Sequence, residues 1–298
     1  MRKFEIIPSW LIAAAWLLPS PAAADDAAAT VEAEFQSRFT ARSGLASGAG
    51  AVSQWNDSLD LSLPVAGSAA YGLGVDLTAE RLEFGFGDFG GFLTGKAAPL
   101  ANASVLTVQP TLVLTPAGPW SYIESAVVQY AGADHASTNG AVLWGGSAAA
   151  AYRATATFKI GLGLEGMQRM EAAAWFFPFP IVDWHISDRW SLTSVDGQTG
   201  RLAYAVARTV SLFGQLEFQE QDIRLARSSS LPSGIVRYET YPLSLGWEWK
   251  PGPHLKTALS AGAAVAQAYH FADAQGRLLR DSDRHAPAVA TFEIDCSF

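Results

Sequence analysis

The segment YPLSLGWEW, 241–249, places Tyr241, Leu243, Leu245, Trp247 and Trp249 on one parity and Pro242, Ser244, Gly246 and Glu248 on the other. The same two-residue period recurs in VEAEFQSRF (31–39), SLDLSL (58–63), YGLGVDLT (71–78) and TFKIGLGLE (157–165). Successive side chains of an extended chain point to opposite faces, so these segments read as strands with one apolar and one polar face. Several runs reach roughly nine residues or more. Strands of a soluble sandwich usually have five or six, whereas about nine to eleven cross a bilayer at a tilt. The polar faces are crowded with Gly and small polar residues, which suits a wet interior. The apolar faces tend to finish in Trp, Tyr or Phe, which suits membrane interfaces. The expected fold is all-β, a transmembrane antiparallel up-and-down β-barrel.

The N-terminal segment supports export. Arg2 and Lys3 precede an apolar run from Ile6 to Leu18, and Ala22 and Ala24 form an A-x-A site before Asp25. This reads as a signal peptide over 1–24 and a barrel over 25–298. Setting Arg2, Lys3 and Glu5 aside leaves 18 basic and 27 acidic residues, a net charge of −9. Without a basic patch, nucleic acid is excluded as a partner. The single cysteine, Cys296, excludes an internal disulfide and a Cys-based metal site. No histidine pair has metal-ligand spacing, so neither a metal nor a cofactor is expected.

Turn-rich segments divide the barrel. Short ones fall at 66–69, 116–119, 151–154, 187–189, 208–211 and 250–254. Longer ones fall at 41–56, 87–103, 132–140, 166–172, 195–200, 227–234 and 271–286. Short and long connections alternate, as between periplasmic and external ends. The count is 14 strands with both termini periplasmic, or 12 if the short segments near 190–195 and 200–208 are not strands. The segments 121–130 and 142–150 lack a clean parity, so their facing stays open. The Gly-rich loop at 87–103 either stays outside or folds into the lumen as a constriction.

The closing segment ATFEIDCSF puts Phe292, Ile294, Cys296 and Phe298 on one parity. It resembles the C-terminal assembly signal of bacterial outer-membrane proteins, with Cys296 a small departure. That resemblance implies the outer membrane as location and the barrel-assembly machinery as partner, beside outer-membrane lipid and lipopolysaccharide. FPFPIVDWHISDRWSL, 177–192, carries Pro180, Trp184 and Trp190 in the spacing P-x-x-x-W-x-x-x-x-x-W. With the closing strand, it resembles an uncharacterised family of bacterial outer-membrane barrels, which supplies no catalytic residues. HASTNG, 135–140, is similar to the H-x-S-N-G motif of outer-membrane phospholipase A, but Thr138 intervenes and would flip parity on a strand. Fatty-acid transporters with 14 strands carry an N-terminal hatch, for which about four residues before the first strand leave no room.

Two residue sets follow. Trp184, Trp190, Tyr241, Trp247 and Trp249 are expected as an aromatic girdle. Glu32, Glu34, Arg38, Asp60, Asp76, Lys159, Glu165, Glu217, Glu248, Glu293 and Asp295 are expected to face the lumen. Carboxylates outnumber cations there, and such a lumen favours cations. The functional expectation is a passive pore or small-solute channel with a preference for cations. An integral lipid hydrolase and a closed structural or adhesion barrel are the alternatives. Oligomeric state is not legible.

Overall fold

The computed structural model describes residues 30–45, 50–87, 98–194, 197–283 and 286–298, without the side chain at 283. The expected signal peptide and most of the loop expected at 87–103 lie outside the described residues.

Sixteen strands follow one another: β1 Glu32–Gly44, β2 Ala51–Gly67, β3 Tyr71–Gly87, β4 Asn102–Leu114, β5 Trp120–Ala133, β6 Val142–Thr155, β7 Phe158–Arg169 and β8 Ala172–His185. They continue with β9 Trp190–Ser194, β10 Thr199–Ala207, β11 Val210–Glu217, β12 Gln219–Arg224, β13 Ile235–Gly252, β14 Leu255–Ala272, β15 Leu278–Asp283 and β16 Ala288–Ser297. β11 and β12 pair with successive parts of β13, and β15 and β16 with successive parts of β14. β15 and β16 together make one wall strand with an interruption, whereas β11 is a wall strand whose continuation, β12, turns inward. The wall therefore has 14 antiparallel strands, closed by β1 against β16. An even count brings Val31 and Phe298 to the same end, here called the terminus end; the opposite end is the loop end.

Side-chain parity is consistent round the wall. Leu59, Leu61 and Leu63 of β2 share a face with Trp55, and Ile160, Leu162 and Leu164 of β7 are exposed on the outside. The undecided segments resolve the same way. Tyr122, Glu124, Ala126, Val128 and Tyr130 face outward on β5, as do Val142, Trp144, Gly146, Ala148 and Ala150 on β6. Nothing in the structure explains the carboxylate of Glu124 on that outer face.

Four connections differ from the sequence expectation. The strands flanking 41–56 run on to Gly44 and from Ala51. The supposed turn at 151–154 is strand, since β6 continues to Thr155. The connection expected over 166–172 is a two-residue turn at Met170 and Glu171, the latter with φ 51°. Most of 271–286 is a hairpin, with Phe271 opposite Arg280. In each case the strand continues past the point where its apolar-polar contrast fades.

Candidate functional site in the barrel lumen

The interior has two layers. At the loop end, Val52, Leu82, Val105, Ile223, Leu225, Val236, Tyr269 and Phe271 are fully buried in a cluster that also takes in Phe84, Leu100, Leu143, Met170 and Tyr238. Each such side chain stabilises the fold by about 1.5–3 kcal/mol. Together they form an apolar roof over the lumen.

β12 builds part of that roof. Its partner on one side is β13, and its end reaches β5, where Arg224 pairs with Gly132 in parallel sense. Contact between strands so far apart in the wall order requires β12 to leave the wall and cross the interior. The inward side chain of Gln129 on β5 accepts from Gln221 at 3.0 Å. Arg169 of β7 pairs with Glu220. The Met170 N–H donates to Asp222 at 2.9 Å, and Arg237 holds the same carboxylate at 2.5 Å. Arg224 bonds Glu171 at 2.9 Å and the Gly140 carbonyl at 3.0 Å. Buried charges need partners, and the roof supplies them.

Below the roof the lumen is polar. Arg38 on β1 reaches across to Glu217 on β11 at 2.5 Å, with side chains 5% and 11% exposed. Its Nε donates to Thr291 at 3.3 Å, while Nη1 is buried without a partner. Arg201 pairs with Glu248 at 2.7 Å and lies 3.8 Å above the Phe213 ring. Lys250 also holds Glu248, at 3.0 Å. Lys256 pairs with Glu293 at 2.9 Å and with Asp295. Ligand oxygens of Glu34, Glu293 and Asp295 lie within 4.8 Å of one another, but the Lys256 ammonium already occupies that cluster as its cation.

The remaining expected lumen residues divide by position. Asp60 accepts from Thr78 at 2.5 Å and Asp76 from Ser62 at 2.6 Å, both on the inner faces of β2 and β3. Glu34 stands opposite Asp60 in the β1–β2 register. Glu32 shares their parity but is exposed at the terminus end. Lys159 and Glu165 share the inner parity of β7, and Glu165 lines the cavity beneath the roof. Among the described residues, Glu34, Asp60, Asp76 and Glu80 make no ion pair with a basic side chain, so β1–β3 form an acidic wall. Sequence reading missed Glu80, Arg201 and the β12 charges. Glu80 and Arg201 were findable, because each continues the inward parity of its strand.

A cavity of about 470 Å³ lies between Glu34, Arg38, Arg201, Glu217, Gln219 and Lys256. A second of about 200 Å³ shares Gln219 with it and ends beneath the roof at Gln129, Gln221 and Tyr238. On the outside, Trp184, Trp190, Tyr241, Trp247 and Trp249 are 38–44% exposed. Phe292 is 41% and Phe298 67% exposed, on the parity opposite Glu293 and Asp295. Asp183 and His185 are 3.7 Å apart, and Arg189 bonds the Tyr204 hydroxyl at 3.2 Å. His135 and Ser137 sit exposed in the turn after β5, with no hydrogen bond between them among the described residues.

No family model matches the chain. No curated protein matches it. Among solved structures it is similar to the Pseudomonas putida toluene transporter TodX, with 10% identity over 91% of this chain and 90% of the other and a TM-score of 0.46. It is also similar to an outer membrane channel from Pseudomonas putida F1, with 11% identity over 95% and 100% and a TM-score of 0.46. For the KdgM porin the identity is 10% over 89% and 99%, with a TM-score of 0.35.

Proposed function

We propose that this protein is an integral outer-membrane β-barrel channel for small solutes, gated at its loop end and preferring cations. One observation carries the reading: the barrel is inside-out. Leu162, Phe176 and Leu245 are 65–73% exposed on the outer face, while Arg38, Glu217 and Glu248 are buried within. Water rewards the reverse arrangement, and hydrocarbon rewards this one. The acidic wall over β1–β3 supports cation preference. The apolar roof supports a closed resting state.

The same roof favours a second reading, a closed structural barrel. Conductance in planar bilayers separates them. A channel gives discrete openings with a cation-selective reversal potential in a salt gradient. A structural barrel gives none, even when the roof is thinned by Leu225→Ser.

A further inference from the structure

The barrel wall has a gap. β7 accompanies β8 along its length, but on the other side β9 covers only Val182–His185. Among the described residues, 172–181 pair with no strand on that side. Facing this edge, β10 accompanies β11 as far as Glu217 opposite Thr199, and the Phe218 N–H donates to the Gln198 carbonyl at 2.7 Å. From Gln219 the chain turns inward. The floor of the gap is the top of β9 and β10, and its lintel is the ion-paired junction of β12 with Arg169–Glu171.

The gap lies within the apolar band. On β8 the outward row runs from Trp184 through Val182, Pro180 and Pro178 to Phe176, so the unpaired stretch begins above Val182. In the membrane this is the outer-leaflet half of the wall. Unpaired backbone is costly in hydrocarbon. β8 carries Pro178 and Pro180 here, residues that lack an N–H and belong at sheet edges. The Phe218 ring fills the space between, 5.6 Å from Phe177 and 5.0 Å from Tyr241. Phe177 has inward parity and Tyr241 is on the outer face, so this stack joins inside to outside. Behind it lies the 200 Å³ cavity lined by Gln129, Gln198, Gln219 and Gln221.

We propose that this gap is a lateral portal between the outer leaflet and the lumen, taking a small amphiphile without an anionic head, with Phe218 as the side chain that closes it. The proposal rests on the membrane-channel reading and adds a route and a ligand class. The route straight out is blocked by the roof. The portal offers aromatic rings to an apolar body and side-chain amides to a polar head. An anionic head finds no free cation there, since Arg169 is held by Glu220 and Arg237 by Glu220 and Asp222.

The test is photolabelling of the full-length barrel, reconstituted in phosphatidylcholine vesicles containing a long-chain alkyl alcohol with a diazirine on its chain, with adducts mapped by peptide mass spectrometry. Outward Leu162 and Leu245 report ordinary lipid contact. A portal also gives adducts on inward-facing Trp175 and Phe177, while inward-facing Ser62 and Asp76, on β2 and β3, stay clean. Phe218→Ala raises inward labelling several-fold, and Phe218→Trp leaves it at or below the wild-type level. Heat-modifiable migration checks folding, and if Phe218→Ala does not fold, the wild-type contrast decides. Adducts confined to outward residues in every folded form overturn the portal. Labelling without conductance would count against the channel reading and leave the portal standing. Conductance without inward labelling would do the reverse.

Discussion

Phe298 and Val31 exchange both backbone hydrogen bonds, Phe298 N–H to Val31 O at 2.9 Å and Val31 N–H to Phe298 O at 3.3 Å. This pair completes the β1–β16 seam at the terminus end, where Glu32 stands opposite Ser297. An unpaired edge there would leave backbone groups facing lipid without partners, which is costly.

Changing Phe298 to Asp is therefore expected to reduce assembly sharply without blocking export. The direct cost is small, since a charge at the bilayer rim costs roughly 0–1 kcal/mol against ~2–4 at the midplane. A loss larger than that would point to failed recognition of the closing strand during assembly rather than to lost stability. Ser297→Asp, on the opposite parity, is expected to be nearly silent. The yield of heat-modifiable barrel in the outer-membrane fraction reads both. Equal losses would contradict the parity assignment.

The Arg38–Glu217 pair gives a second expectation. Glu217→Ala strands a buried guanidinium and should destabilise by about 3–5 kcal/mol. Adding Arg38→Met to that change should recover much of the loss. Urea unfolding in lipid vesicles, followed by tryptophan fluorescence, measures it. If the double variant is no more stable than the single, the stranded charge is not the cause.

Gly262 is the third. It faces Ser244 in the β13–β14 register, and a Cβ there would meet the Leu243 carbonyl oxygen. Backbone cannot step aside as a side chain can. Gly262→Val should weaken this pairing and lower the urea midpoint, whereas Gly72→Ala, in open space, should not. Equal midpoints for the two would remove the steric argument.

The turn joining β14 to β15 should be sensitive to acid. The Arg277 and Gln275 N–H groups donate to the Asp273 carboxylate at 2.9 and 3.0 Å, and the Arg277 guanidinium adds a bond at 2.7 Å. The Arg277 backbone bond comes first among the causes that hold this carboxyl below the usual range. A depressed folded value means the contribution is full above about pH 4, the ordinary Asp value, and is lost as pH falls through the folded one. Proteolysis of the 273–277 turn, or exchange of its amides, should accelerate only below that range. Acceleration already at neutral pH would contradict the assignment.

The sequence made the barrel and its strand number legible because the apolar band stamps its period on β2, β7 and β13. It was silent where that contrast disappears. β12 reads as polar, EQDIR, because both of its faces lie inside the barrel and meet charged partners. The segments 121–130 and 142–150 were ambiguous because Glu124 sits on the outer face and alanines and glycines give no contrast. The connection at 41–56 looked longer than it is because β1 and β2 carry polar rows such as Ser37 and Asp57, bonded at 2.6 Å, on their outer face. Parity assigns Arg38 to a face. Its partner 179 residues away follows only from closure of the whole wall.

Planar-bilayer recording in a tenfold potassium chloride gradient tests the gated cation channel most directly, with wild type beside Leu225→Ser, which thins the roof, and Asp60→Asn, which weakens the acidic wall. The expected result is sparse openings for wild type with a reversal potential favouring potassium, more frequent openings for Leu225→Ser, and reduced selectivity for Asp60→Asn. Silence from both wild type and Leu225→Ser, or a reversal potential favouring chloride, would contradict it.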